Sequence, residues 1–75
     1  MLRINPEKTG QTIHAIMRYR DMSVSKVAEK LGVTRIAIYK WFRGENMPTI
    51  DNLCNLSDVL RCSMDDLLNV TELED

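Results

Sequence analysis

Seventy-five residues make one small domain, whose stability depends on well-packed helices or on a partner. At 44% hydrophobic and 28% charged residues the composition is that of an ordinary globular chain, and no apolar run approaches the ~20 residues of a membrane span. The net charge of −1 hides a split: residues 1–49 carry nine Lys/Arg against four Asp/Glu, and residues 50–75 carry one against seven. Such a split fits one face for a polyanion and an acidic end kept away from it, with chance clustering on solvated helix faces as the plainer alternative.

The start of the chain, Met1 to Pro6, lacks the apolar stretch of a signal peptide, so a cytoplasmic location is expected. Cys54 and Cys62 then read as reduced structural thiols. With His14 as the single histidine and no Cys-x-x-Cys pair, ligands for zinc are too few, and neither a metal nor a cofactor is expected.

Every periodic segment reads as helix, and no alternating strand pattern stands out. Asn5-Pro6-Glu7 is a start signal: a capping side chain, a proline at the first helical position and an acid favoured by the helix dipole. Ile13, Ile16 and Met17 form the inward stripe of this first helix, which reaches about Arg20. Gly10 inside it either admits a close neighbour or is a weak spot worth about 1 kcal/mol relative to alanine. Ser23 caps a second helix with the stripe Val27, Ala28, Leu31, ended by Gly32. Thr34 caps a third, from Arg35 to about Arg43, with Ile38 and Trp41 inward and Gly44 as its stop. Thr49 caps a fourth, with Ile50, Leu53, Leu56, Val59 and Leu60 facing the core. Ser63-Met64-Asp65-Asp66 is a capping-box pattern opening a short fifth helix with Leu67 and Leu68. The domain is expected over residues 1–70, with 71–75 as an acidic, fraying tail.

The stretch from Val24 to Arg43 carries the function. Two helices of under three turns joined by a short turn containing glycine define a helix-turn-helix. Ala28 is small where the helices cross, Gly32 can take positive φ at the corner, and Val33, Ile38 and Trp41 supply the apolar contacts that lock the crossing.

On these residues the chain resembles the Cro and phage-repressor-like (Xre-type) helix-turn-helix family. Asn5-Pro6-Glu7-Lys8 with Gly10 and Ile13 is similar to its first helix, and Ser23 through Thr34 to its second helix and turn. Ile38, Trp41, Arg43-Gly44 and Pro48 are similar to its third helix and the loop after it. Leu53-x-x-Leu56 and Ser63 to Leu68 are similar to its last two helices. The resemblance implies an all-α, five-helix, lambda-repressor-like fold. Three positions depart from the family: Val24 replaces a glutamine that contacts phosphate and braces the third helix, Met17 an arginine and Phe42 a glutamate. The first departure puts one backbone contact in question and leaves the groove-reading surface in place.

The resemblance further implies that the third helix enters the major groove of duplex DNA, with Thr34, Arg35, Ile36, Tyr39 and Lys40 towards the bases. Arg35 can give two parallel hydrogen bonds to guanine, and Ile36 can pack on a thymine methyl. Ser23, Ser25, Lys26, Arg43 and Asn46 are candidates for phosphate oxygens. Each has a plainer reading. Lys26, Lys30 and Lys40 can be solvated helix charges, and Ile36 and Tyr39 can be exposed by accident or belong to a protein interface. Trp41 reads as core, Phe42 as core or as a brace between the loop and Pro48, and His14 as a surface residue with no catalytic partner.

No phosphate-binding loop, metal cluster or nucleophile motif is present, so an enzyme is not expected. The leading expectation is a sequence-specific DNA-binding regulator of transcription, a repressor, acting as a homodimer through Met64, Leu68, Val70 and Leu73. The alternative is a helical protein-interaction module or antitoxin that turns the same scaffold to a protein partner.

Overall fold

Each helix starts on the side chain offered as its cap. In the computed structural model, which describes residues 1–72, the elements run β1 (Leu2–Ile4), α1 (Pro6–Tyr19), α2 (Val24–Leu31), α3 (Arg35–Phe42), α4 (Ile50–Leu60), α5 (Met64–Leu67) and β2 (Val70–Glu72). Asn5 accepts from the Lys8 N–H at 3.0 Å, Ser23 from Lys26 at 3.1 Å, Thr34 from Ala37 at 3.0 Å and Thr49 from Asn52 at 3.1 Å. At α5 the box closes both ways: Ser63 Oγ accepts from the Asp66 N–H at 3.0 Å, and Asp66 Oδ2 accepts from the Ser63 N–H at 3.1 Å. These bonds satisfy N–H groups that a helix leaves orphaned.

Gly32 ends α2 in the left-handed region, with φ 69°, and lets the chain turn at once into α3. Arg61 plays the same part after α4 with φ 56°, a conformation uncommon for a residue with a side chain. Arg20 holds that corner from α1, donating through Nε to the Leu60 carbonyl at 2.9 Å and through Nη2 to the Arg61 carbonyl at 3.1 Å.

The core is one cluster: Ile13 and Met17 of α1, Val27 and Ala28 of α2, Ile38 and Trp41 of α3, Leu53, Leu56 and Leu60 of α4, and Leu67 of α5. Ile16, Leu31, Val33, Val59 and Leu68 pack partly against it. Ile50, expected inside, is 77% exposed. At about 100° per residue it falls on the flank of the stripe set by Leu53, Leu56 and Leu60, and as the first helical residue it has no preceding turn to lean on. Gly10 marks a close approach: a Cβ there would overlap the Trp41 carbonyl oxygen and sit 2.7 Å from that of Phe42.

Two short strands join the five expected helices, although no alternating pattern marked them. β1 and β2 pair antiparallel, with Leu2 opposite Glu72, Arg3 opposite Thr71 and Ile4 opposite Val70. Thr71 and Glu72 are therefore paired, where a fraying tail was expected; residues 73–75 lie outside the described residues. Three residues are too few to show an alternating pattern, and the partners lie at opposite ends of the sequence. Tertiary contacts bring them together: the Asn5 N–H donates to the Asn69 carbonyl at 2.7 Å, and the Asn69 N–H donates to Thr9 Oγ1 at 2.9 Å. Thr9 is fully buried, a polar core residue that hydrophobic periodicity passes over.

Candidate nucleic-acid interface

α3 is anchored from inside by Ile38 and Trp41, so its opposite side faces out. Thr34, Arg35 and Lys40 are exposed, Ile36 is 67% exposed and Tyr39 is 47% exposed. Arg35, Ile36, Tyr39 and Lys40 therefore share the outward side of α3, and Thr34 is accessible at its N-cap. On α2, Ser23, Ser25 and Lys26 are exposed as well.

The capping bonds define what the hydroxyls have left to offer. Ser23 Oγ and Thr34 Oγ1 each accept a backbone N–H within their own helix, so each keeps its O–H as a donor for an external oxygen. Ser25 sits differently: Arg35 Nη1 reaches its Oγ at 3.5 Å, linking the first turn of α3 to the first turn of α2. Val24 is half-buried against the core at the start of α2 and contributes no polar group there.

Arg43 and Asn46 are exposed but belong to the other end of α3, about 12 Å along the axis from Arg35. Arg43 forms an ion pair with Glu45, a partner not anticipated from the sequence. Both side chains are more than half exposed, so the pair is worth well under 1 kcal/mol and yields readily to a stronger anion. The cations Lys26, Arg35, Lys40 and Arg43 lie on α2, α3 and the α3 cap, whereas Asp51, Asp58, Asp65 and Asp66 lie on α4 and α5.

Phe42 packs partly against the core, as one of its two readings expected, and its ring also makes a contact that neither reading named. Its ring stacks on His14 of α1, with centroids 4.2 Å apart and planes at 16°. The Tyr39 ring meets Phe42 edge-on at 5.8 Å and 87°. The stack follows from the packing of α1 on α3: His14 lies one turn after Gly10, the point where the two helices touch.

Of the residues expected at a dimer surface, Met64 and Leu68 are half-buried against the core, Val70 is 50% exposed on β2, and Leu73 lies outside the described residues. Cys54, Asp58, Cys62 and Asp66 line an open groove along α4 and α5. There burial, and secondarily the Asp66 carboxylate, push the Cys62 thiol above its ordinary value, against a weaker opposing pull from Arg20. No three His, Cys, Asp or Glu side chains among the described residues are grouped to hold a metal ion, and no described helix is long and apolar enough to cross a membrane.

Known proteins share this fold. The profile of the helix-turn-helix family matches residues 13–67. Repressor protein C2 of Salmonella phage P22 is 34% identical over 65 residues, which cover 87% of this chain and 30% of C2. The chain thus spans less than a third of the length of that relative. The crystal structure of the P22 c2 repressor in complex with a synthetic operator superposes with a TM-score of 0.75 at 35% identity, over 80% of this chain and 91% of the other. The solution structure of the P22 c2 DNA-binding domain gives 0.76 at 33% identity, over 84% and 83%. The restriction-modification controller protein C.AhdI of Aeromonas hydrophila gives 0.75 at 21% identity, over 81% and 92%, a likeness of fold alone.

Proposed function

Since the chain belongs to the Cro and phage-repressor-like (Xre-type) helix-turn-helix family, we propose that it is a sequence-specific duplex-DNA-binding regulator of transcription, a repressor. α3 lies in the major groove, with Arg35 on a guanine edge, Ile36 on a thymine methyl, and Thr34, Tyr39 and Lys40 on neighbouring base edges. Ser23, Ser25 and Lys26 hold one stretch of phosphates, and Arg43 and Asn46 another beyond the far end of α3. The observation that carries this reading is the outward side of α3, where Arg35 and Lys40 stand exposed at the edge of a helix anchored inward by Trp41. The relative with an operator-bound structure supports it.

One such module covers about 600–1,000 Å² of protein surface on DNA, thin for tight recognition. The active species is therefore a homodimer on a palindrome, with half-sites about 34–36 Å apart. Its apolar contact draws on Val70 and, across the sheet, on Ile4 and Leu2, all exposed. A strict monomer in sedimentation at high concentration with DNA present would overturn this. The protein works in the cytoplasm without catalytic activity or a cofactor.

Selection of the purified protein on a random duplex library at ~150 mM salt, followed by sequencing, tests the proposal, since non-specific binding is weakened there. A palindromic motif is expected. Folded protein that enriches no sequence would favour the second reading, a protein-interaction module or antitoxin, for which the exposed Ile36 is the specific observation.

A further inference from the structure

Tyr39 stands on the outward side of α3 with its ring already seated. The residue is 47% exposed, and its ring meets that of Phe42 in a T-shaped contact with centroids 5.8 Å apart. Phe42 packs partly against the core, and its ring is stacked at 4.2 Å on His14 of α1. Gly10 makes that stack reachable: with no Cβ between them, α1 closes onto the Trp41 and Phe42 carbonyls, and His14 arrives one turn later over the Phe42 ring. The order Gly10, His14, Phe42, Tyr39 runs from the α1–α3 contact to the face read by DNA.

We propose that His14 and Phe42 are positioning residues for Tyr39, one of the base-edge residues of the reading above, and so help to set the base preference. The inference rests on the DNA-binding reading above and adds to it which residues set the base preference, including one on a helix that never enters the groove. A tyrosine free to move between rotamers would contact several bases in turn and discriminate little. A tyrosine held by an edge-to-face contact presents its hydroxyl and free ring edge in one place, to a single base edge or thymine methyl. Little ordering then remains to be done on binding.

The test repeats the library selection with wild type, Tyr39→Ala, His14→Ala, His14→Phe and the Tyr39→Ala/His14→Ala double variant. Because His14 is exposed, its variants are expected to fold, which circular dichroism melts verify. Tyr39→Ala should flatten the preference at one or two base positions. His14→Ala should flatten the same positions by about 2- to 10-fold, the range an aromatic pair supplies. The double variant should be no worse there than Tyr39→Ala alone, and His14→Phe, which keeps a flat ring, should restore the preference. The salt dependence of affinity should not move, since no phosphate contact is lost. In the free protein, the aromatic proton resonances of Tyr39 should shift in His14→Ala and return in His14→Phe. If His14→Ala keeps the wild-type preference where Tyr39→Ala loses it, or weakens all sequences alike, the positioning role is overturned. A wild-type arm that enriches nothing instead overturns the DNA-binding reading, and this inference with it.

Discussion

The guanidinium of Arg35, the first residue of α3, reaches the hydroxyl of Ser25 in the first turn of α2 at 3.5 Å. This long contact sits beside Val24, which has no polar group to brace α3. Arg35→Ala should cost about 1–3 kcal/mol of binding and relax specificity at one base position. Ser25→Ala should show a smaller loss at that same position, coupled to Arg35 in a double-mutant cycle read by competition binding. Equal loss on all sequences would instead put Arg35 on a phosphate, and a uniform loss in Ser25→Ala, uncoupled from Arg35, would mean that Ser25 acts through its phosphate contact alone.

Gly10→Ala should destabilise the domain, although alanine is the better helix former by about 1 kcal/mol. The added Cβ meets backbone carbonyls of α3, which cannot rotate aside as a side chain would. Forcing the helices apart is expected to cost about 1–3 kcal/mol net, seen as a lower denaturant midpoint. A midpoint at or above wild type would mean the α1–α3 approach is looser than described.

Trp41→Ala removes the largest core side chain of α3 and should cost about 3–5 kcal/mol. That is enough to unfold most molecules of a domain this small. A variant that melts with wild type would place the indole outside the core.

Thr9→Val keeps the volume of a fully buried side chain but removes the acceptor of the Asn69 N–H. An orphaned buried donor costs about 1–3 kcal/mol, and here the loss should concentrate on the β1–β2 pairing. Faster amide exchange at Asn5, whose N–H donates to the Asn69 carbonyl, with little change at Ile38, is the expected pattern. Thr9→Ser, which keeps the oxygen, should protect Asn5 better.

Cys62 titrates above an ordinary thiol because burial and Asp66 disfavour its thiolate. Near neutral pH, iodoacetamide should therefore label the exposed Cys54 first, with Cys62 following only at higher pH. The folded state holds this proton more tightly than the unfolded chain. The stability it contributes is thus complete below the ordinary thiol value and lost as the pH rises through the raised one. Melting of wild type should fall across that alkaline window more than melting of Cys62→Ala; parallel falls would show that the thiol is not linked to folding.

Local chemistry made the helices legible in the sequence. Asn5, Ser23, Thr34, Thr49 and Ser63 are caps because a short side chain reaches the N–H three residues on, and Gly32 turns the chain because it lacks a Cβ. The outward set on α3 was legible too, because Ile38 and Trp41 fix which side of a helix faces in. Contacts between segments distant in sequence were not. The β1–β2 pair, the buried Thr9, the exposed Ile50 and the His14–Phe42–Tyr39 arrangement each depend on where another element lies. Caps and periodicity act within a few residues of one another, so the sequence by itself determined the helices and the face α3 presents. Which rings stack, which strands pair and which cation finds an anion depend on distances between elements, and only the packed tertiary structure decided those.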